Sequence, residues 1–408
     1  MRIDTKNITL EQNAIDSKKP AITTIILLSA LVAFGPLSID MYLPSLPSIA
    51  TDLATHVNAV QKTITIFLIG FSIGMLIYGP LSDRYGRKKL LIVGVLIYIL
   101  ATLGCISVNK IEQLQGLRFL QALGGASASV LSRALVRDLF KSEDIPKTLS
   151  IMHIITMIAT LVAPLLGAVI VEYMHWTGIF TFLLIYALVC LIWCYFSIPQ
   201  TVTAPQPTGI IENYKTVLSC RRAWGFMLCN SFSFGGMFAY ITASSFVFMH
   251  YYHFTPQQYA YLFASNIFAI IVFTSINKHA LQKYSAYQLL KVMSFISCLS
   301  GLYLLIITLF NLDSVYLLIL GLMIFVGVTG AIGANSIANL LQILPKQAGT
   351  ASGFAVSMQF ATGAFLSYCV GLLFMDNHPA AMNIIICIAA CLGFISLLLT
   401  RNVQKDFN

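Results

Sequence analysis

The sequence predicts an all-α membrane protein that crosses the bilayer twelve times, as two six-helix bundles with both termini cytoplasmic. Three observations predict it. The 408 residues are 58% hydrophobic and only 10% charged, a balance too apolar for a soluble domain. Apolar stretches recur at the length of roughly 20 residues that a helix needs to cross ~30 Å of hydrocarbon. Open strands are excluded there, because lipid leaves unpaired backbone groups unsatisfied. Finally, the basic residues crowd into alternate loops.

In chain order, residues 1–20 are polar and basic. A full-length apolar run follows them, so they read as an uncleaved cytoplasmic tail. The first bundle, 21–199, holds segments 21–50, 59–82, 90–108, 113–136, 145–171 and 178–198. Residues 200–222 are polar, follow Pro199 and contain Pro205 and Pro207, which marks a cytoplasmic linker. The second bundle, 223–400, holds segments 224–251, 257–278, 287–310, 314–341, 348–374 and 380–399, and 401–408 form a second tail.

Charge delimits these segments and orients them. Arg84, Arg87, Lys88 and Lys89 separate the second from the third, and Arg133, Arg137, Lys141 and Lys147 the fourth from the fifth. Lys215, Arg221 and Arg222 precede the seventh, Lys278, Lys283 and Lys291 bracket the eighth-to-ninth turn, and Lys346 precedes the eleventh. All but three (Lys62, Lys110, Arg118) of the 24 Lys and Arg residues thus fall on the side of the two tails. The bias of bases toward cytoplasmic loops makes that side the inner one.

Composition removes several function classes. The net charge of +9 lies in short loops, with no basic face on a soluble domain, which argues against nucleic acid as a partner. The nine cysteines form no Cys-x-x-Cys pair; Cys190 with Cys194 and Cys387 with Cys391 sit four apart in apolar runs, as packing residues do. His250 and His253 flank Tyr251 and Tyr252 in what reads as an interfacial belt, so no metal is predicted. No cofactor is predicted either: no loop holds a phosphate-cradling glycine motif or enough chain for a catalytic domain, and the protein reads as no enzyme.

Two full charges lie inside apolar spans, Asp40 in the first and Arg118 in the fourth. Such residues are costly in lipid and face a cavity or each other. At ~1.5 Å per residue, Asp40 lies ~30 Å from the inner end of its helix and Arg118 ~8 Å from the outer end of its own. Both therefore belong to the outer half of the membrane, where they can meet. On the functional reading, Asp40 takes up and releases a coupling proton while Arg118 orients the site and biases the acid, since burial and a guanidinium act oppositely on proton affinity. The alternative is a fixed structural pair near the headgroups. Polar and aromatic residues within spans, Tyr42, Gln121, Asn230, Phe234, Asn266 and Gln359, are candidates to line a cavity, as is Pro164 at a helix bend.

The stretch Gly79-Pro80-Leu81-Ser82-Asp83-Arg84-Tyr85-Gly86-Arg87-Lys88-Lys89 resembles the loop between helices 2 and 3 of the major facilitator superfamily. Gly79, Asp83, Arg84, Gly86 and Arg87 fill its pattern. In that family the loop acid meets the inner end of helix 11, here Ala348-Gly349-Thr350-Ala351-Ser352-Gly353, and the loop bases pair with an acid below helix 4, here Asp138. The resemblance implies a latch between the halves involving Asp83, Arg84, Arg87, Asp138 and Gly349; a plain topology anchor is the other reading. Ala163-Pro164-Leu165-Leu166-Gly167-Ala168 partly matches the helix 5 motif of facilitator antiporters.

Ser38-Ile39-Asp40-Met41-Tyr42-Leu43-Pro44-Ser45-Leu46-Pro47 and Leu117-Arg118-Phe119-Leu120-Gln121-Ala122-Leu123-Gly124 are similar to signatures of the bicyclomycin-resistance (Bcr/CflA) branch. That branch implies the major facilitator fold in a bacterial inner membrane. It also implies a monomer that exports drug-like amphiphiles, of bicyclomycin or chloramphenicol type, against entering protons by alternating access. Val32 stands where some relatives carry a second acid, which argues against coupling to two protons. A facilitator that moves one specific metabolite is the rival expectation.

Overall fold

The structure, a computed structural model, describes residues 22–141, 143–199, 210–373 and 378–399, apart from the side chains of Asp83, Pro146, Ile210 and Ile211. The tails 1–20 and 401–408 and most of the proline-bearing linker lie outside the described residues. Among the described residues, eleven helices are long and apolar enough to cross a membrane: Val57–Ser82, Arg87–Ile106, Ile111–Leu139, Lys147–Met174, Thr177–Ser197, Arg221–Tyr251, Pro256–Ala280, Ala286–Leu309, Val315–Ile343, Ala348–Leu373 and Ala380–Leu399. They are the second to the twelfth span.

The first span is broken. Ile22–Val32 and Phe34–Asp52 meet at 44°, where the sequence predicts one uninterrupted helix. Pro36 is the reason: it has no N–H to return to the Val32 carbonyl, so the ladder opens and the axis turns. A second irregularity follows at once. Phe34–Asp40 gives way to a single tight turn, Leu43–Ser45, before helix resumes at Leu46–Asp52, with Pro44 and Pro47 again withholding donors.

The basic stretch at 79–89, a short polar turn by its sequence, is mostly helical. The second span stays helical through Tyr85, the third begins at Arg87, and Gly86 alone makes the reversal. Its φ of 90° and ψ of 138° are open to glycine and strained for any residue with a Cβ. Gly79 has no comparable duty: it is helical, and a Cβ there would meet nothing within 4 Å. Within the expected linker a short helix, Ile210–Ser219, packs against the second bundle through Val217, and Tyr214 meets Phe354 edge-on at 6.3 Å.

Each half packs around its own buried helices. In the first, the fourth span lies between the second and third; in the second, the seventh contacts the tenth, eleventh and twelfth. The halves meet where the second span lies along the eleventh and the fifth along the eighth. Ser72 and Ser357 tie the first of these seams reciprocally: Ser72 Oγ donates to the Ser357 carbonyl at 2.9 Å and Ser357 Oγ to the Ser72 carbonyl at 3.0 Å. At the end far from Gly86, the Leu43–Asp52 part of the first span rests on the seventh and eighth. Gln257 there donates to Glu172 across the halves.

Candidate functional site

The break in the first span creates the site. Its middle helix ends at Asp40, so the last carbonyls lack helical partners. The Tyr42 N–H turns to Ile39 at 3.2 Å, which leaves the Ser38 carbonyl free. Arg118, fully buried on the fourth span, fills that position with Nη2 at 2.9 Å. A cation at a helix C-terminus also meets the negative end of the helix dipole.

Three further contacts hold the guanidinium. Its Nη1 donates to Gln121 Oε1 at 2.6 Å, and Gln121 Nε2 donates in turn to Thr102 Oγ1 at 2.8 Å. The Tyr42 and Phe67 rings lie 4.5 and 4.3 Å from the guanidinium carbon, a cation–π arrangement that gains strength where water is excluded. Tyr42 is fixed by Thr63, whose hydroxyl is 3.0 Å from its own. Gln121 and Tyr42 are therefore supports of Arg118, both without solvent exposure.

Asp40 sits on the same turn and points elsewhere. Among the described residues no ion pair joins it to Arg118, so the expected meeting of the two charges is replaced by a shared helix end. Arg118 binds the backbone of that end, and its hydrogen-bonding capacity is drawn to Ser38 and Gln121. Asp40 is 5% exposed and lies in the electrostatic neighbourhood of Tyr240 and Tyr259, on the seventh and eighth spans. The Tyr240 hydroxyl accepts from Asn266 Nδ2 at 2.7 Å, and the Tyr259 hydroxyl is 2.7 Å from Ser244 Oγ. The charge of the acid in one half is thus felt by a polar network of the other.

The fifth span presses on this turn. A Cβ at Gly167 would lie 2.2 Å from the Met41 carbonyl oxygen and 3.0 Å from its Cα, and Ala163 packs against Met41 as well. Pro164 is buried one turn before Gly167. The small-residue motif therefore seats the fifth span on the residue next to Asp40.

The remaining cavity candidates fall in two places. Asn230 and Gln359 pair across the seventh and eleventh spans at 2.9 Å. Phe234, half-buried, ends a row of rings that crosses between the halves: Phe67, Phe71, Phe360, Phe238 and Phe234, with successive centroids 5.9, 4.6, 5.7 and 5.9 Å apart. Phe67, which underlies Arg118, starts that row. Sequence reading missed Phe71, Phe360 and Tyr259 because each sits among equally apolar neighbours, and nothing in the one-dimensional pattern separates them.

The basic end is built differently. Arg87 Nε pairs with Asp138 Oδ2 at 2.9 Å, with both side chains mostly buried. Arg84 is exposed and lies over the Tyr85 ring at 5.4 Å. Arg137 Nη1 would be 3.1 Å from a Cβ at Gly349, so the fourth span touches the start of the eleventh. The side chain of Asp83 lies outside the described residues. A cavity of about 480 Å³ opens here, bordered by Gly79, Arg87, Arg133, Arg137, Lys346 and Gly349 among others.

The family model "Major Facilitator Superfamily" matches residues 27–368. A bicyclomycin resistance protein homolog of Haemophilus influenzae is 33% identical over 396 residues, covering 96% of this chain and 99% of that protein. A chloramphenicol resistance protein of Pseudomonas aeruginosa is 28% identical, covering 87% of this chain and 84% of its own length. Among solved structures, a D-xylose–proton symporter superposes with a TM-score of 0.70 at 16% identity, over 92% of this chain and 96% of that one. The POT family transporter PepTSo reaches 0.75 at 13% identity, over 95% and 98%. These structural likenesses concern the fold. Twelve spans, the broken first helix capped by Arg118 and the single-glycine reversal at Gly86 agree with the sequence matches: the chain is a multi-pass inner-membrane transporter that belongs to the major facilitator superfamily, in its bicyclomycin-resistance branch.

Proposed function

We propose that this transporter exports drug-like amphiphiles, of bicyclomycin or chloramphenicol type, in exchange for protons. The observation that carries the reading is the position of Asp40: a buried carboxyl at a helix break, within electrostatic reach of Tyr240 and Tyr259 of the other half. A proton taken up there removes the cost of an isolated charge and changes what the facing half meets. Movement of one half against the other then alters the exposure of this carboxyl, which couples proton transfer to access. Arg118 keeps the turn in place, and the row of rings from Phe67 to Phe234 offers an apolar wall for a flat substrate.

On the same reading the protein works as a monomer with both tails in the cytoplasm. Asp83, Arg84 and Arg87, with Asp138 and the Gly349 turn, form a latch that closes the cytoplasmic side. The names of the relatives favour export of antibiotics over uptake of a nutrient.

The test is a drug-susceptibility panel in an efflux-deficient bacterium, comparing the intact chain with Asp40→Asn at matched membrane amounts. The intact chain raises resistance to at least one panel compound, and Asp40→Asn returns it to the level of the empty host. Full protection by Asp40→Asn refutes proton coupling at this carboxyl. Concentrative uptake by intact cells, with no protection, refutes export.

A further inference from the structure

The far end of the second bundle holds a group of residues with no part in the scheme above. The ninth span ends at Leu309, and Asn311 takes a φ of 50° as the chain turns into the tenth. That turn carries Asp313 back beneath the end of the seventh span. Tyr251 and Tyr252 each donate a phenol proton to its carboxylate, to Oδ2 and Oδ1, both at 3.0 Å. The rings of Tyr251 and Tyr252 stand 4.9 Å apart at 85°, and that of His378 lies 5.2 Å from Tyr251 at 82°.

These four side chains border a cavity of about 260 Å³ that also includes Asn383. Asn383 is buried, donates Nδ2 to Thr308 Oγ1 at 2.9 Å, and has an Oδ1 with no hydrogen-bond partner. His378 Nδ1 accepts from the Ala380 N–H at 3.1 Å, which fixes the ring against the cavity beside Tyr251. The described residues bordering the cavity include no Lys or Arg. What the cavity offers is a carboxylate with lone pairs to spare, an orphan amide oxygen and mutually perpendicular rings, and each of these attracts positive charge.

We propose that this cavity is a binding box for an ammonium group, and that the ammonium of a phospholipid headgroup fills it. The lipid source follows from the surroundings: Leu309, Phe310, Leu312 and Tyr316 beside the box are large, apolar and exposed, and they lie at the ends of the ninth and tenth spans, where lipid headgroups meet the protein. The assignment is independent of proton-coupled export.

The experiment uses the full chain in detergent, equilibrated with equal amounts of phosphatidylethanolamine and phosphatidylglycerol and read by native mass spectrometry. The intact chain retains phosphatidylethanolamine at least fivefold over phosphatidylglycerol. Asp313→Asn and His378→Ala each erase that preference, while Glu112→Gln, an exposed acid elsewhere, leaves it in place. Asp313 is exposed, so its amide variant keeps the fold, and a matching size-exclusion profile checks this. A second arm adds tetramethylammonium without lipid and reads the melting temperature. A rise that Asp313→Asn abolishes, with no lipid preference, overturns the lipid assignment in favour of a soluble amine. Equal lipid retention in all variants, with no effect of tetramethylammonium, overturns the box.

Discussion

Arg118 Nη2 donates to the backbone carbonyl of Ser38 at 2.9 Å, two residues before Asp40. The deepest base of the protein is therefore bound to the peptide chain that carries the deepest acid, and not to the acid itself. This separates two jobs that a direct ion pair would merge. The cation completes the broken helix, and the carboxyl stays available to the opposite half. A buried cation keeps its charge only where acceptors and rings replace water, and the Ser38 carbonyl, Gln121 Oε1, Tyr42 and Phe67 supply these.

Arg118→Lys tests that division. A lysine keeps the charge but loses the planar fork that reaches Ser38 and Gln121 together, and it stacks less well on Tyr42 and Phe67. Efflux is expected to fall at least tenfold while membrane amounts stay within twofold. Gln121→Ala, which leaves the carbonyl contact in place, is expected to cost less. The measurement is the rate of fluorescent-substrate efflux from energised cells, normalised to protein.

Gly167→Ala is expected to be the most damaging single-methyl change on the fifth span. The added carbon would lie 2.2 Å from the Met41 oxygen, and backbone cannot rotate away as a side chain can. Overpacking of this kind costs ~1–3 kcal/mol, here at the residue adjoining Asp40. A lowered melting temperature together with lost efflux is the expected outcome. Ala168→Gly, at the neighbouring buried position, is the control expected to retain activity.

These positions show what was legible in the sequence. Span number and the two candidate charges followed from hydropathy and from the rarity of ions in lipid. The pairing of Asp40 with Arg118 did not hold, because depth along a helix carries no information about which way a side chain turns. The broken first span was signalled by Pro36, Pro44 and Pro47, whose effect on the helix the hydropathy reading passed over. Gly167 stood in a quoted motif, yet its contact with Met41 depends on how two spans cross. That Asp40 acts electrostatically on Tyr240 and Tyr259 could not be read from the sequence, since these residues lie some 200 positions apart in the chain.

At the basic end, Arg87 and Asp138 are expected to act as a pair. Arg87→Asp and Asp138→Arg singly set like charges against each other where the native pair sits 2.9 Å apart, and each is expected to reduce efflux. The double exchange is expected to recover a substantial part of it. In stability the pair contributes about 1 kcal/mol or less, as partly screened ion pairs do, so a double-mutant cycle on melting should give a small coupling beside a large one in transport. Equal losses in the single and double variants would mean that the two residues act separately.

The seam between the second and eleventh spans makes the last prediction. Ser72 and Ser357 hydroxyls are 3.0 Å apart and each also binds the other's backbone carbonyl, so this contact is short, specific and shared by the two halves. Two halves that rock must slide these spans past each other, and the reciprocal bonds must break and reform at each cycle. Hydroxyls this close place the two side chains within the reach of a disulfide, which requires Cβ atoms roughly 3.5–4.5 Å apart. Ser72→Cys combined with Ser357→Cys is therefore expected to cross-link under copper–phenanthroline and to lose at least nine-tenths of its efflux, with recovery on reduction by dithiothreitol. Each single variant keeps the nine native cysteines and reports any effect of oxidising Cys298 and Cys391, whose sulfurs lie 3.6 Å apart. Full efflux by the cross-linked double variant would mean that the seam is a fixed hinge and that access alternates elsewhere.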